Sequence, residues 1–273
     1  MLHTPSRLDQ RRLQMALVDD SPELFEAYQD NHPRNAESTL KSRPMAASFV
    51  VDESSECRFV GLYAVAGWTF RTASELDADP IRQSVMTRFR AVPFNEWAIK
   101  TGQNGREVFN LQLLPSLADL RGRLIVTRPS GRPYMRLAEN CELPVIAVER
   151  SARFSPPAPN WKDFVVTGDE MRGLPRDWQA RLREWRGIYH IVDASDGARY
   201  IGAAYGEANL LGRWQAHVDG EIGVTVELAQ RDPSSFRFSI LELVAPTAPA
   251  DLVLQAEVNW KVRLDTRTWG LNR

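Results

Sequence analysis

The sequence lacks a long apolar run and a cysteine framework. No window of the 273 residues approaches the roughly 18 apolar residues that a bilayer-crossing helix needs. The first residues, MLHTPSRLDQRR, have no apolar segment typical of a signal peptide, and their acidic residue disfavours a transit peptide. Cys57 and Cys141 are alone and far apart, without metal-binding spacing around either. We therefore expect a cytoplasmic protein with two free thiols and no membrane partner.

An excess of charge of one sign is also missing. The chain has 34 Lys and Arg residues against 35 Asp and Glu residues, a formal net charge of −1. A dedicated nucleic-acid-binding protein often has a basic domain, so any nucleic acid must bind here through a local patch. With 43% hydrophobic and 25% charged residues, the composition is that of an ordinary globular protein, and the length predicts two modest domains.

The pattern along the chain predicts an α+β protein. Two amphipathic helices near the amino terminus precede short β-like runs, which predict a β-rich domain with helical flanks over residues 1–165. A proline-rich stretch follows, and we place a linker at residues 166–180. Residues 181–273 then form a second domain, in which β-like runs alternate with helical ones.

The second domain opens with a predicted hairpin. Residues 186–193 and 198–202 are β-like runs joined by the turn Ala194-Ser195-Asp196-Gly197. Tyr189 and Tyr200 fall on neighbouring strands and can face the same side of the sheet.

A helix is predicted directly after this hairpin, with Asn209 as its N-cap and Gly220 as its end. Arg213 and His217 then lie one turn apart on one helical face. A third strand follows, and after it a long helix capped by Thr247, with Glu257 near its middle.

This order of elements resembles the GIY-YIG nuclease family. GIY at 187–189, ten intervening residues and YIG at 200–202 are followed by the arginine and histidine of the first helix. The glutamate in EVNWK and the turn Gly270-Leu271-Asn272 complete the match over residues 187–272. The resemblance implies a small antiparallel sheet flanked by helices, and a metal-dependent phosphodiester hydrolase.

The resemblance also implies a role for each residue. Glu257 would hold one Mg²⁺ or Mn²⁺ ion, since Mg²⁺ is commonly bound by one or two carboxylates plus substrate phosphate. Arg213 offers phosphate a planar, permanently charged fork. Tyr189 would orient or deprotonate the attacking water, which requires a neighbouring cation to lower its pKa, and His217 would accept the phenolic proton. Tyr200 would position the phosphate or the water, and Asn272 would fix local geometry by hydrogen bonding.

The first domain is the candidate for DNA recognition. Arginines around a predicted hairpin, centred on Pro129-Ser130-Gly131, could contact phosphates, while aromatic residues near turns could hold an extruded or modified base. The candidates are Arg121, Arg123, Arg128, Arg132, Trp68 and Trp97. The alternative is that the aromatic residues fill the core and the arginines form a solvated face.

We expect a metal-dependent DNA endonuclease of restriction or phage-defence type, with selectivity for modified DNA as one option. A repair or mobile-element endonuclease is an alternative, as is a DNA-binding or interaction protein with a catalytically silent nuclease fold. One active site per chain would make a homodimer useful for cutting both strands.

Overall fold

The structure is a computed structural model that describes residues 1–131, 135–220 and 226–272. The chain divides into two compact units, the N-terminal unit Met1–Pro156 and the C-terminal unit Pro157–Arg273. This division lies before the linker that the sequence predicts at 166–180. Those residues instead carry regular elements, because Val166, Met171 and Trp178 are buried in the core of the C-terminal unit.

The N-terminal unit contains a mixed sheet and flanking helices. Its strands are β1 (Leu2–His3), β2 (Met45–Val51), β3 (Cys57–Thr72), β4 (Gly105–Leu113), β5 (Leu124–Val126) and β6 (Val145–Val148). Its helices are α1 (Leu8–Asp20), α2 (Pro22–Gln29), α3 (Arg34–Lys41), α4 (Ala73–Asp77), α5 (Pro80–Phe89) and α6 (Phe94–Thr101). The six-stranded sheet has the order β1-β2-β3-β5-β6, with β4 also paired to β3. β1 runs parallel to β2, whereas the other pairs are antiparallel.

The hairpin predicted around Pro129-Ser130-Gly131 is wrong for the described residues. β5 pairs with β3 and β6, and residues Ala138–Asn140 form a short 3-10 helix. The β6 segment has three β-branched residues, which favour a strand, whereas the predicted second strand begins with a proline, which cannot donate to a ladder. Residues 132–134 lie outside the described residues.

The C-terminal unit is an antiparallel sheet between helices. Its strands are β7 (Val165–Thr167), β8 (Arg186–Asp193), β9 (Arg199–Ala204) and β10 (Phe236–Val244), in the order β7-β10-β8-β9. Its helices are α7 (Gly168–Met171), α8 (Arg176–Glu184), α9 (Asn209–Asp219), α10 (Val226–Ala229) and α11 (Ala250–Arg263). The two units together confirm the predicted α+β class.

The sheet of the C-terminal unit is covered on both faces. Tyr189 and Tyr200 point into a core shared with Trp214 of α9 and Leu182 of α8. Ile188 and Ile201, their neighbours along the strands, pack with Val253 of α11 in a separate cluster. Because successive strand residues point to opposite faces, α8 and α9 cover one face and α11 covers the other.

Two predicted helix starts are wrong, and one predicted end is confirmed. Asn209 has a φ of 44° and does not cap α9; its side-chain amide donates to the Arg183 carbonyl at 2.9 Å. α11 is preceded by Pro249 rather than by Thr247, and no side chain caps it. Gly220 ends α9 in the left-handed conformation, with φ 70°, where a glycine has no steric penalty.

Among the described residues, no helix combines the length and apolar character that crossing a membrane requires.

Candidate active site

The register of β8 and β9 brings the two motif tyrosines together. Tyr189 lies opposite Gly202, and Tyr200 lies opposite Ile191, so the tyrosines are diagonal neighbours on one face. Their ring centroids are 6.3 Å apart. A Cβ atom on Gly202 would overlap the ring and hydroxyl of Tyr189. The glycine of YIG is therefore what allows the Tyr189 side chain to lie across β9.

His217 of α9 completes a buried aromatic cluster with the tyrosines. Its Nε2 lies 2.7 Å from the Tyr189 hydroxyl, within hydrogen-bonding distance. Its ring centroid is 5.6 Å from that of Tyr189 and 5.5 Å from that of Tyr200. Burial, with the nearby charge of Arg213, lowers the pKa of His217 to about 3. His217 is therefore neutral at physiological pH, and one of its ring nitrogens can accept a proton.

The expectation of a lowered tyrosine pKa is wrong in this structure. Tyr189 is completely buried, and this burial raises its pKa, to which the neighbouring Tyr200 adds. The pKa of Tyr200 is raised by burial and by the charge of Glu257. Arg213 opposes both shifts but does not reverse them. Both phenols are therefore protonated at neutral pH.

Arg213 and Glu257 are the partly exposed members of the site. Arg213 lies one helical turn before His217, and its charge acts on the pKa of both tyrosines and of His217. Its Nε has no hydrogen-bond partner among the described residues. The guanidinium therefore lies close enough to the phenols to oppose the raised pKa of both.

The effect of Glu257 on this cluster is electrostatic: its charge acts on the pKa of the two tyrosines. Glu257 belongs to α11, which covers the opposite face of the sheet and contacts β9, the strand at the sheet edge. Its charge raises the pKa of Tyr200 and adds to the raised pKa of Tyr189. Its direct partner is Lys261, whose Nζ lies 2.7 Å from Oε1. The carboxylate thus acts on the phenols electrostatically and is paired with an ammonium group.

The donor set around Glu257 fits an incompletely caged metal ion. Within residues 1–131, 135–220 and 226–272, no three His, Cys, Asp or Glu side chains converge as a closed metal site would require. Mg²⁺ usually keeps several waters and takes one or two carboxylates plus substrate phosphate. A lone carboxylate whose charge acts on the same tyrosines as the Arg213 guanidinium is consistent with that mode of binding, and not with a structural zinc site.

Asn272 fixes the outer edge of β9. Its Oδ1 accepts a hydrogen bond from the Ile201 N–H at 2.8 Å, and its Nδ2 donates to the Ile201 carbonyl at 2.7 Å. The Leu271 N–H donates to the Arg199 carbonyl at 2.8 Å. β9 is the edge strand of this sheet. Leu271 and Asn272 therefore make, directly beside Tyr200, the hydrogen bonds that a neighbouring strand would otherwise make.

The structure separates the predicted DNA-binding residues of the N-terminal unit. β5, which Arg128 follows, pairs with Cys57 and Arg58 at the start of β3. Trp68 lies ten residues beyond Arg58 (68 − 58), about 33 Å along the strand. A long stretch of β3 therefore lies between Trp68 and the position that pairs with β5.

Two of these arginines have intramolecular roles. Arg123 donates to the carbonyl oxygens of Glu149 at 2.6 Å and Asp119 at 2.9 Å. The charge of Arg121 acts on buried Tyr63 and on its half-buried hydrogen-bond partner Glu26. Arg128 is half-buried near Cys57, while Arg132 lies outside the described residues.

The two predicted tryptophans each lie against a cation. Trp68 is 44% exposed, packs against Phe109 and has the Lys41 ammonium 5.2 Å from its ring centroid. Trp97 on α6 is covered by the Arg106 guanidinium at 4.3 Å. Trp68 is therefore the more exposed of the two, although a cation lies over its ring as well.

Sequence reasoning missed Lys261 and Trp214. Lys261 has a readable signal, because a glutamate and a lysine four residues apart on a helix commonly pair. Trp214 is fully buried against the Tyr189 ring, with centroids 6.4 Å apart. Trp214 lies three residues before His217 on α9, and this spacing is the signal that could have placed it in the same cluster.

No protein-family model, curated protein or solved structure matches this chain. Its function is therefore inferred from its residues and their geometry.

Proposed function

We propose that this protein is a metal-dependent DNA endonuclease of GIY-YIG type, which hydrolyses phosphodiester bonds in restriction or phage defence. The observation that carries the proposal is the buried hydrogen bond between Tyr189 and His217, beside Tyr200 and under the charge of Arg213. A buried phenol–imidazole pair next to an arginine combines a proton path with a phosphate-binding group.

Arg213 binds the scissile phosphate in this mechanism. Its guanidinium matches two phosphoryl oxygens and stays charged at any relevant pH. Negative charge grows on those oxygens during attack, so a fixed cation stabilises the transition state more than the ground state. The phosphate in turn neutralises Arg213, which removes part of the effect that lowers the pKa of His217.

Tyr189 and His217 carry the proton of the attacking water. Because burial disfavours a phenolate, Tyr189 passes its own proton to His217 Nε2 as its oxygen receives one from water. No free phenolate forms along this path. Tyr189 is fully buried and Tyr200 nearly so, and water reaches them only when the partly exposed Arg213 and Glu257 side chains rearrange on DNA binding.

Glu257 is the residue that would hold the divalent cation, which when bound stabilises charge on the departing 3′ oxygen. Tyr200 positions the phosphate, and Asn272 holds the β9 edge that carries Tyr200. Arg128 and the exposed part of Trp68 remain the proposed DNA contacts of the N-terminal unit.

A DNA-binding protein with a silent nuclease fold is the second candidate. The observation that favours it is the closed state of Tyr189, whose hydroxyl is buried and bonded only within the chain. Such a protein would bind DNA with unchanged affinity after substitution of Tyr189, and would not cut it.

Incubation with plasmid and phage DNA tests the proposal. We expect cleavage with Mg²⁺ or Mn²⁺ and none with EDTA. Glu257→Ala should abolish cutting and retain DNA binding in a gel-shift assay. Comparison of unmodified with hypermodified phage genomes reports selectivity for modified bases. DNA binding without cleavage, under every divalent cation tried, would favour the silent fold instead.

A further inference from the structure

Glu257 and Lys261 form a close ion pair on α11. The Lys261 Nζ lies 2.7 Å from Glu257 Oε1, and the side chains are only 20% and 13% exposed. The glutamate precedes the lysine by one helical turn, which is the favourable order for such a pair. Because both side chains are mostly enclosed, salt screens the pair less than it screens an exposed one.

The ammonium of Lys261 occupies one of the two carboxylate oxygens of Glu257. A divalent cation bound to the same carboxylate would be repelled by this positive charge, so the two compete. Among the described residues, no group of three or more potential metal ligands includes Glu257. The lysine has a flexible four-carbon stem and three rotatable donors, so it can leave without a change in the helix.

We propose that Lys261 is a positioning residue that competes with the divalent cation for Glu257 and so sets the cation concentration at which the site fills. The inference rests on the proposed function, which makes Glu257 the metal ligand. In the metal-free protein, Lys261 neutralises the carboxylate beside the two phenols. In the metal-bound protein, the cation takes over that role and Lys261 is released.

The test measures Mn²⁺ binding to the full chain without DNA, by electron paramagnetic resonance of free Mn²⁺. Lys261→Met keeps the length of the stem and removes the charge, so the Kd for Mn²⁺ should fall by more than about twofold and up to about fivefold, the range that the strongest helical ion pairs allow. Lys261→Gln should act in the same direction, and Lys261→Arg should stay within about twofold of the parent protein.

Arg263→Met is the matched control. It removes one positive charge from the same helix, but the Arg263 guanidinium lies over the Trp260 ring at 4.3 Å rather than on Glu257. Its Kd for Mn²⁺ should change by less than about twofold, because the charge is not in contact with the carboxylate. Circular dichroism of each variant confirms that it is folded.

Two failures are distinguishable. If Lys261→Met, Lys261→Gln and Arg263→Met all bind Mn²⁺ like the parent protein, and Glu257→Gln removes that binding, the competition is refuted while the metal site stands. If Mn²⁺ binding does not depend on Glu257 in any background, the metal assignment of the proposed function fails, and the role of Lys261 fails with it.

Discussion

Replacement of Asn272 by alanine should destabilise the C-terminal unit. The side-chain amide of Asn272 satisfies both backbone groups of Ile201 on the outer edge of β9, at 2.8 and 2.7 Å, and is itself 5% exposed. Alanine would leave a buried N–H and a buried carbonyl without these partners. Each orphaned group costs about 1–3 kcal/mol, and water will reach them in part, so we expect a loss of about 2–4 kcal/mol.

Hydrogen exchange measured by mass spectrometry resolves this loss within the full chain. A loss of about 2–4 kcal/mol corresponds to exchange that is about 30- to 700-fold faster in the peptides of β8 and β9. Asn272→Asp should cost at least as much, because a carboxylate cannot donate to the Ile201 carbonyl. The control is Arg267→Ala, an exposed substitution in the same C-terminal segment, with an expected effect below about 0.5 kcal/mol. Equal exchange in Asn272→Ala and Arg267→Ala would refute the edge-pairing role.

Three further outcomes are expected. Gly202→Ala should cost at least about 1–3 kcal/mol of unfolding free energy, because its Cβ would overlap Tyr189, whereas Gly206→Ala, with open space around it, should cost far less; equal losses in urea unfolding would contradict this. The pKa of His217 is lowered to about 3 in the folded protein, from about 6.5 in the unfolded chain. Between these two pH values His217 is protonated only in the unfolded chain. Acidification from pH 7.5 to 5.0 should therefore cost about 2 kcal/mol through His217, and His217→Gln should show a pH dependence smaller by that amount; an unchanged dependence would contradict its neutral burial. Alanine at both Arg128 and Arg132 should weaken DNA binding and flatten its salt dependence with the fold intact, and unchanged affinity would reject these contacts.

Several elements of the C-terminal unit could be predicted because their signals are local. Two β-like runs around the turn at 194–197 predict β8 and β9, and Gly220 predicts the end of α9. The helix starts failed because they depend on tertiary partners: Asn209 uses its amide on Arg183 rather than as a cap. Pro249 precedes the first residue of α11, so Thr247 lies outside the helix.

The proximity of Tyr189 to Tyr200 could be predicted from the hairpin pattern, but their protonation could not. Tyr189 and Tyr200 meet because the register of β8 and β9 sets them two residues apart on one face. The raised pKa of Tyr189 comes from complete burial beside Trp214, which depends on how α9 packs. Likewise, the separation of Trp68 from the arginines follows from the length and pairing of β3, which no short motif encodes.

The most direct test is a cycle of Arg213→Ala, Glu257→Gln and the double variant in single-turnover cleavage of plasmid DNA with Mg²⁺. If both side chains act on one phosphate, each single variant should lose most of the rate, and the double variant should be little slower than the worse single one. If the rate loss of the double variant equalled the product of the two single losses, a shared reaction centre would be contradicted. Full cleavage by either single variant would contradict it as well.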